Sequence, residues 1–585
     1  MDALTPLTSN PVITIAGFFI FIAVIIYLWK HRSPSKTLKK QSTEDNYTEQ
    51  MPTTNVKAFV GREDIMELLQ NTWQENACNV LALSAWGGTG KSSIINKWLD
   101  SYVGGKNKPL KTYSWSFHNQ GDTGKKQSSS SEFIDHALKF FGNEQSTFSS
   151  EHQKATHLAT LIGEDRNVLI LDGLEPFQYS ANDSDDVMRG KFRDTGLKAL
   201  LQQLSIQNEG LCLITTREAL DDEFCSQETV INHSLENLSE KDSVQLLRNK
   251  KVQGSDEDLI EAAKDYNHHA FSLTLLGNYL SDQNIQDRSD LPTLSDDHTQ
   301  AEAIFGLMSA YEQHLEANHP QSLALLYVMG LFDHDVKKDV LDMLLETVDD
   351  SNSFCDALKK LRHSGRLNRS IRLLQSVDLI NVDEQDNLSC HPLTREHFGK
   401  HFHCNYPNSW LKSHSRLFDY YKNLPEKELP DTEEKMEPLF AAIKHGCTAR
   451  LHEQVLNEVY WPRIKRGDEH YSTKKLGAFS SDLAALSHFF DATWHTLAPE
   501  LGETHRASIL NWAATRLRAL GRLREAVEPM QAGMEIYIKD DKLKYAASVA
   551  SSLSGLQLIQ GNIKEAIQTA EQSIELAYAD NDTFW

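Results

Sequence analysis

A chain of 585 residues is too long for one hydrophobic core, so we expect roughly three or four domains. The net charge of −23 argues against general nucleic-acid binding, because phosphate contacts need clustered lysines and arginines. The seven cysteines are scattered and form no CxxC pair, which excludes a disulfide framework and favours reduced thiols in the cytosol.

The first predicted element is an uncharged apolar run from Val12 to Trp29. As a helix it would extend ~27 Å, close to the thickness of the hydrocarbon layer. Tyr27 and Trp29 stand at its end, and basic residues follow at positions 30–40. The positive-inside rule then predicts a single-pass span of the cell (inner) membrane, with residues 1–11 outside and the bulk in the cytoplasm. The alternative is a cleaved signal peptide, but residues 1–11 lack the positive charge that one needs.

Residues 30–57 are polar without apolar periodicity, which predicts a flexible linker. In residues 58–234, short apolar runs alternate with helical stretches, the pattern of a parallel sheet with helices on both faces. The predicted strands are Asn79–Ser84, Thr112–Phe117, Asn167–Leu171 and Gly210–Thr215, and the predicted helices are Lys91–Tyr102 and Glu132–Phe141.

Strand signals fade after about residue 235. Residues 235–300 predict a helical domain, with helices at Ser239–Asn249 and Asp256–Leu280, that ends in an acidic linker. Residues 301–403 predict further helices and a hairpin near Leu379–Cys390.

Residues 404–585 predict an almost entirely helical tail with an internal repeat. ALGRLREA at Ala519–Ala526 recurs as IQGNIKEA at Ile559–Ala566, 40 residues later. A Gly between helices and an Ala at a close helix crossing are typical of helix-turn-helix repeats. ARLHEQ at Ala449–Gln454 is a candidate degenerate copy. The alternative to a repeat is two ordinary amphipathic helices that share a turn, but the shared Gly-x-x-x-Glu-Ala favours the repeat.

The strongest chemical motif is AWGGTGKSS at Ala85–Ser93, between a predicted strand and a predicted helix. Glycines let backbone N–H groups surround phosphate oxygens, and the helix N-terminus adds its positive dipole end. Lys91 then reaches the β- and γ-phosphates and Ser92 holds Mg²⁺, while Ala85 replaces the usual first Gly. The motif therefore predicts ATP or ADP binding through Gly87, Gly88, Thr89, Gly90, Lys91, Ser92 and Ser93.

Three shorter motifs complete the predicted site. VLILDGLEP at Val168–Pro176 ends a strand with Asp172, a second candidate ligand for Mg²⁺, and Glu175 follows as the candidate base that activates water. LITTR ends another strand with Arg217, which is placed to sense the γ-phosphate. FVGRE precedes the first strand, with Gly61 and Arg62 as candidates for the adenine side. His268–His269 and His401–His403 lack a third ligand at helical spacing, so we expect no structural metal site there.

Together, FVGRE, GGTGKS, LILDGLEP and TTR resemble the STAND class of P-loop NTPases, which includes the NACHT and NB-ARC proteins. Two later motifs extend the resemblance over about residues 57–403. HAFSLTLLG at His269–Gly277 resembles the GxPLAL motif, with Ala270 at the Pro position, and CHPLTRE at Cys390–Glu396 resembles the winged-helix Met-His-Asp motif, with Pro392 at the Asp position. The resemblance implies that residues 301–403 are winged-helix-like and that His391 touches the β-phosphate of ADP. The tail resembles tetratricopeptide repeats.

The resemblance implies a slow ATPase that acts as a switch. ADP would keep the domains closed, and a ligand or partner protein on the repeat tail would allow ATP to enter and the chain to form homo-oligomers. The apolar span would be either an anchor or an effector that perturbs the membrane, as in a stress or antiviral defence response. Two alternatives remain: a non-enzymatic scaffold whose nucleotide is structural, and a motor ATPase with continuous turnover.

Overall fold

The computed structural model describes residues 47–48, 59–101, 108–117, 130–142, 148, 151–179, 188–283, 299–346, 352–383, 385–492 and 494–579. The chain divides into two compact units, Met1–Thr48 and Glu49–Trp585. In the first unit the description covers a two-residue strand, Tyr47–Thr48. The predicted span 12–29 and most of the linker 30–57 lie outside the described residues. None of the helices that are described is long and apolar enough to cross a membrane.

The second unit begins with a parallel α/β sheet. Its strands lie side by side in the order β2-β3-β4-β1-β5, and every residue of β1 to β4 is buried. Apolar clusters cover the sheet. Each cluster combines side chains of the strands with side chains of the helices that pack on them, as a buried parallel sheet requires. The strands are β1 (Val80–Ser84), β2 (Thr112–Ser116), β3 (Val168–Asp172), β4 (Leu211–Thr216) and β5 (Val230–Ser234).

The helices of this part are α1 (Glu63–Glu75), α2 (Lys91–Asp100), α3 (Ser131–Phe141), α4 (Glu151–Gly163) and α5 (Thr195–Ile206), with short 3₁₀ helices at Glu175–Phe177 and Glu223–Ser226. The predicted strands and helices are present with small shifts at their ends. Four elements, β5, α1, α4 and α5, were not predicted. Strand β5 lies at the edge of this parallel order and is only half-buried, so its polar sequence VINHS carries no strand signal.

A helical region follows the sheet and shares one continuous apolar core. Its helices are α6 (Glu240–Asn249), α7 (Asp256–Lys264), α8 (Ala270–Gln283), α9 (Gln300–Asn318), α10 (Pro320–Met329), α11 (Lys338–Glu346), α12 (Ser353–Leu361), α13 (Ser364–Ser376) and α14 (Pro392–Asn405). The predicted single helix Asp256–Leu280 is wrong. Asn267 and His268 adopt positive φ angles of 51° and 55°, which no α-helix contains, and they separate α7 from α8.

The predicted hairpin is confirmed as β6 (Asn381–Val382) paired antiparallel with β7 (Leu388–Ser389). Val336 adds an antiparallel bridge to Leu388. Helix α14 follows the hairpin directly and begins at Pro392, with His391 as its N-cap residue.

The tail is helical, apart from a short hairpin of β8 (Phe490–Ala492) and β9 (Thr496–Leu497) that was not predicted. Its first part contains α15 (Pro407–Asn423), α16 (Glu433–Thr448), α17 (His452–Val455), a π-helix (Leu456–Lys465), a 3₁₀ helix (Gly467–Glu469), α18 (Tyr471–Lys474) and α19 (Phe479–Ser487). Arg450, inside the candidate copy ARLHEQ, has a φ of 62° at the turn between α16 and α17.

The tail ends in four helices of 17 residues each: α20 (Glu503–Ala519), α21 (Leu523–Lys539), α22 (Leu543–Ile559) and α23 (Ile563–Ala579). Gly521 and Gly561 take φ angles of 75° and 83° in the turns, and Ala526 and Ala566 in the helices that follow are buried. The repeat of 40 residues predicted from the two matching segments is therefore confirmed as two successive helix hairpins.

A buried polar network joins this repeat region to the helices before it. The carboxylate of Asp482 in α19 accepts hydrogen bonds from Arg516 Nε of α20 at 2.8 Å, Ser472 Oγ at 2.7 Å and Tyr460 OH at 3.1 Å. Asp482 and Arg516 form a fully desolvated ion pair.

Candidate nucleotide-binding site

The loop between β1 and α2 has the backbone that phosphate binding requires. Gly88 and Gly90 have φ angles of +85° and +106°, which side-chain-bearing residues rarely adopt. A Cβ added at Gly88 would lie 2.8 Å from Phe271 Cβ and 2.9 Å from His269 Cε1, so only Gly fits between the loop and the start of α8. Helix α2 begins at Lys91 and points its N-terminus into the loop.

Lys91 places a buried ammonium group inside this loop. Its Nζ donates hydrogen bonds to the carbonyl oxygens of Ala85 at 2.6 Å and Trp86 at 3.0 Å. Burial lowers the pKa of Lys91 to about 8, although Glu175 and Asp172 oppose the shift. The lysine is therefore held, with its charge only partly compensated, where phosphate oxygens would enter the loop.

Asp172 lies at the carboxyl end of β3 and is fully buried. Its Oδ1 accepts hydrogen bonds from Ser92 Oγ at 2.7 Å and from Thr215 Oγ1 at 2.6 Å, and Ser116 Oγ lies 3.5 Å from Oδ2. Ser92 and Asp172, the two predicted Mg²⁺ ligands, are thus adjacent. A hydroxyl and a carboxylate are hard oxygen donors, so this pair fits a Mg²⁺ ion that keeps water and phosphate oxygens as its other ligands.

Glu175 and Arg217 come from neighbouring strand ends and meet each other. Arg217 Nε lies 3.0 Å from Glu175 Oε1, and both side chains are largely buried. A Cβ added at Gly87 would lie 3.6 Å from Arg217 Nε, so the guanidinium also borders the phosphate loop. The structure therefore brings the predicted base and the predicted γ-phosphate sensor together as an ion pair.

A cavity of about 290 Å³ opens in front of the loop. Its lining comes from the sheet region, from helices α6 and α8 and from the segment around the β6–β7 hairpin, so that a molecule bound in it would contact both the sheet region and the helical region. Gly61 is not among its lining residues, but the other residues predicted to bind nucleotide line it: Arg62, Gly87, Gly88, Thr89, Gly90, Lys91, Ser92, Ser93 and His391.

His391 reaches the cavity from the far side. Its ring stacks on Phe271 with a centroid distance of 4.0 Å and an interplanar angle of 20°. Its Nδ1 accepts a hydrogen bond of 3.2 Å from the backbone N–H of Leu393 and so caps α14. Phe271 therefore orients the ring that the resemblance assigns to phosphate recognition.

Arg62 supports the phosphate loop from behind. Its guanidinium donates to the carbonyl of Thr89 at 3.0 Å and to that of Glu236 at 2.5 Å, and burial lowers its pKa. Phe59 and Val60 continue along the cavity wall. A Cβ added at Gly61 would lie 2.6 Å from Asp242 Cγ, so FVGRE is fixed in place by close packing.

Two cations of the cavity, Lys250 and Arg395, were not predicted from the sequence. Lys250 pairs with Asp378, whose Oδ2 also accepts a hydrogen bond of 2.9 Å from Asn278 Nδ2. Arg395 lies inside CHPLTRE, so that motif contained a usable signal. Lys250 stands at the end of α6 without a motif, and only the fold places it near the loop.

The glycine loop, the helix after it, the buried Asp172 on β3 and the strand order together define a P-loop NTPase fold with a helical tail. No protein-family model matches the chain, and no curated protein does either. Among solved structures, the chain is similar to a STAND protein with a tetratricopeptide repeat sensor from Pyrococcus horikoshii, at 15% identity, covering 91% of this chain and 79% of that one, with a TM-score of 0.44.

Two further solved structures match with lower scores. A Walker-type ATPase of Pyrococcus abyssi is 13% identical and covers 60% of this chain and 99% of that one, with a TM-score of 0.28. The ORC1 protein of Aeropyrum pernix, in complex with DNA, is 12% identical and covers 59% of this chain and 94% of that one, with a TM-score of 0.28.

Proposed function

We propose that this chain is a membrane-anchored switch ATPase of the STAND type. Bound ADP or ATP would determine how the helical region is positioned relative to the sheet region. The observation that carries the proposal is the shared cavity. Gly88 and Lys91 of the phosphate loop, Phe271 of α8 and His391 at the start of α14 all line it. A nucleotide in the cavity would connect elements that are far apart in sequence.

Five residues in or beside the cavity have a chemical task in this proposal. Mg²⁺–ATP supplies the phosphoanhydride bond that is cleaved. Lys91 would neutralise phosphate charge, Ser92 and Asp172 would hold Mg²⁺, and Glu175 would accept a proton from the attacking water once it separates from Arg217. Arg217 then turns towards the added negative charge of the γ-phosphate, so the same ion pair distinguishes ATP from ADP.

Contacts between the tail and the sheet region support a sensing role for the tail. Tyr179 OH, two residues after the 3₁₀ helix that carries Glu175, donates a hydrogen bond of 3.4 Å to Glu525 Oε1 of α21. Lys139 Nζ of α3 lies 2.6 Å from Glu434 Oε2 of α16. Movement of the tail would therefore displace residues next to the candidate catalytic carboxylate of Glu175.

The last repeat helix offers a surface for the partner that we propose. Four apolar side chains of α23 are between 48% and 74% exposed, where soluble chains usually carry polar residues: Ile563, Ile567, Ile574 and Tyr578. A partner bound there must favour the open state by ~5.5 kcal/mol to convert a population that is 99% closed into one that is 99% open. Oligomerisation of the ATP-bound form would follow.

The membrane part of the proposal rests on the sequence of residues 12–29. Membranes washed with alkaline carbonate should retain the full chain and release a variant that lacks these residues. Release of both proteins would contradict the anchor.

The test of nucleotide binding uses the full chain, purified in detergent. We expect calorimetry to detect one ADP site, and Lys91→Ala to abolish it, because the buried ammonium is the principal partner of the phosphates. Lys97→Ala on the same helix is the matched control and should bind like the wild type. A purified chain that carries no nucleotide and binds neither ADP nor ATP would contradict the proposal.

The scaffold alternative assigns the nucleotide a purely structural role. Slow ATP hydrolysis that disappears in Lys91→Ala would exclude it. The motor alternative requires fast steady-state hydrolysis without any tail ligand, which the Glu175–Arg217 ion pair disfavours because it occupies the base.

A further inference from the structure

A second polar cluster lies away from the cavity, where α9 packs against α14. Glu312 of α9 faces His397 and His401, which stand one helical turn apart on α14. Glu312 Oε2 lies 2.5 Å from His401 Nδ1 and 3.6 Å from His397 Nε2. Helical spacing in the sequence did not reveal this cluster, because the carboxylate comes from another helix.

His397 is the informative member of the cluster. Its side chain is 2% exposed, and its Nε2 points at the carboxylate from a distance too long for a hydrogen bond and has no hydrogen-bond partner. A buried ring nitrogen without a partner costs free energy. A cation between the two side chains would remove that cost.

The geometry is close to that of a bound divalent ion. One donor atom from each of the three side chains lies within 4.8 Å of the other two. Neighbouring ligands of tetrahedral zinc are separated by about 3.3 Å, so the His397–Glu312 spacing nearly fits and the shorter His401–Glu312 contact must open by under 1 Å.

The surroundings also suit a metal. Tyr327 OH donates a hydrogen bond of 2.5 Å to Glu312 Oε1, the oxygen that faces away from the histidines, and so orients the carboxylate. His401 is 34% exposed, which leaves a solvent-facing position for a water ligand and a path for the ion.

We propose that Glu312, His397 and His401 form a binding site for a single Zn²⁺ ion. Two imidazoles and one carboxylate favour zinc over the hard cations Mg²⁺ and Ca²⁺. The ion would cross-link α9 to α14 and fix the orientation of α14. Because His391 caps that same helix at the cavity, zinc would also hold His391 in place, a consequence that rests on the proposed nucleotide function.

The test uses the full chain in detergent, stripped of metal by a chelator and then supplied with zinc chloride. Elemental analysis after gel filtration should give one zinc per chain. Cobalt chloride, used as a coloured substitute, should give the intense visible bands of a tetrahedral site. His397→Ala and Glu312→Gln should each weaken zinc binding by at least about tenfold. His403→Ala, an exposed histidine on the same helix, should bind as the wild type does.

Stability supplies an independent readout. Zinc should raise the Tm of the wild type and of His403→Ala, and leave that of Glu312→Gln unchanged, because only an ion bound to the folded state stabilises it. Glu312→Gln keeps the size of the side chain and an oxygen for Tyr327, so it serves if His397→Ala fails to fold. Absence of zinc from the wild type, or equal binding by the wild type and Glu312→Gln, would overturn the site. ADP binding is measured separately, so failure of the zinc site leaves the nucleotide test intact.

Discussion

Arg217 Nε lies 3.0 Å from Glu175 Oε1, so the candidate base and the candidate γ-phosphate sensor neutralise each other beside the phosphate loop. Glu175→Gln should retain ATP and ADP binding and slow hydrolysis by about 10²-fold, because the amide accepts no proton from water. Single-turnover hydrolysis at saturating ATP measures the effect. Glu218→Gln removes the neighbouring carboxylate, which pairs with Arg189, and should hydrolyse ATP at the wild-type rate. Unchanged hydrolysis in Glu175→Gln would remove Glu175 from the reaction.

The pKa of Lys91 predicts how nucleotide affinity depends on pH. Burial lowers this pKa to about 8 in the nucleotide-free protein, whereas bound phosphates would raise it. Binding should therefore take up a proton when the pH is above 8, and ADP affinity should fall as the pH rises through 8. Calorimetry in buffers of different ionisation enthalpy measures the proton directly. Proton release, or affinity that is constant up to pH 9.5, would contradict the assignment.

The lowered pKa of Lys91 also predicts how the stability of the folded protein depends on pH. The folded-state pKa lies below the usual 10.5, so the charged lysine opposes folding at neutral pH, and this penalty disappears as the pH rises from 8 towards 10.5. Lys91→Met should therefore unfold at a higher temperature than the nucleotide-free wild type at pH 7, by an amount that shrinks above pH 8. Thermal unfolding at the two pH values checks the sign.

Gly88→Ala should abolish nucleotide binding. The added Cβ would meet Phe271 and His269, and the loop would also lose its preferred positive φ. Gly561→Ala is the matched control, because its φ is also positive but nothing lies within 4 Å of the added Cβ. Both variants should lose about 1 kcal/mol of stability from backbone strain, and Gly88→Ala should lose more because of the clash, but only Gly88→Ala should lose ADP. Full ADP affinity in Gly88→Ala would argue against a tight loop.

Tyr179→Phe removes the hydrogen bond to Glu525 and leaves the ring in place. A hydrogen bond of this kind contributes about 0.5–1.5 kcal/mol, so ADP should dissociate about 2- to 10-fold faster if this contact stabilises the closed state. Stopped-flow release of a fluorescent ADP measures the rate. Tyr545→Phe, an exposed tyrosine on α22, should leave release unchanged. If ADP dissociates from both variants at the same rate, the contact between Tyr179 and Glu525 of the tail has no role in nucleotide exchange.

The buried strands were predictable because they are continuous apolar runs. They end in polar residues of the candidate site, such as Asp172 and Thr215. Strand β5 was not predictable, since an edge strand with Asn232 and His233 on it has no such run. The break between α7 and α8 was hidden as well. His268 takes a left-handed conformation with a φ of 55°, and hydrophobic periodicity carries no information about the φ angle of a single residue.

The phosphate loop and Asp172 were predictable as motifs because their chemistry fixes both residue type and spacing. Contacts across the fold were not. His397 and His401 show helical spacing in the sequence, but Glu312 lies on a helix far earlier in the chain and only packing brings it to them. The Glu175–Arg217 pair was missed for the same reason, although both residues had been singled out individually.

The ion pair between Asp482 and Arg516 determines how the tail can move. Breaking a buried pair costs about 3–5 kcal/mol, whereas an exposed pair such as Lys139–Glu434 contributes at most ~1 kcal/mol. A load applied at α23 will therefore not bend the chain where α19 meets α20. We therefore expect the exposed contact between Lys139 and Glu434 to break before the junction between α19 and α20 does.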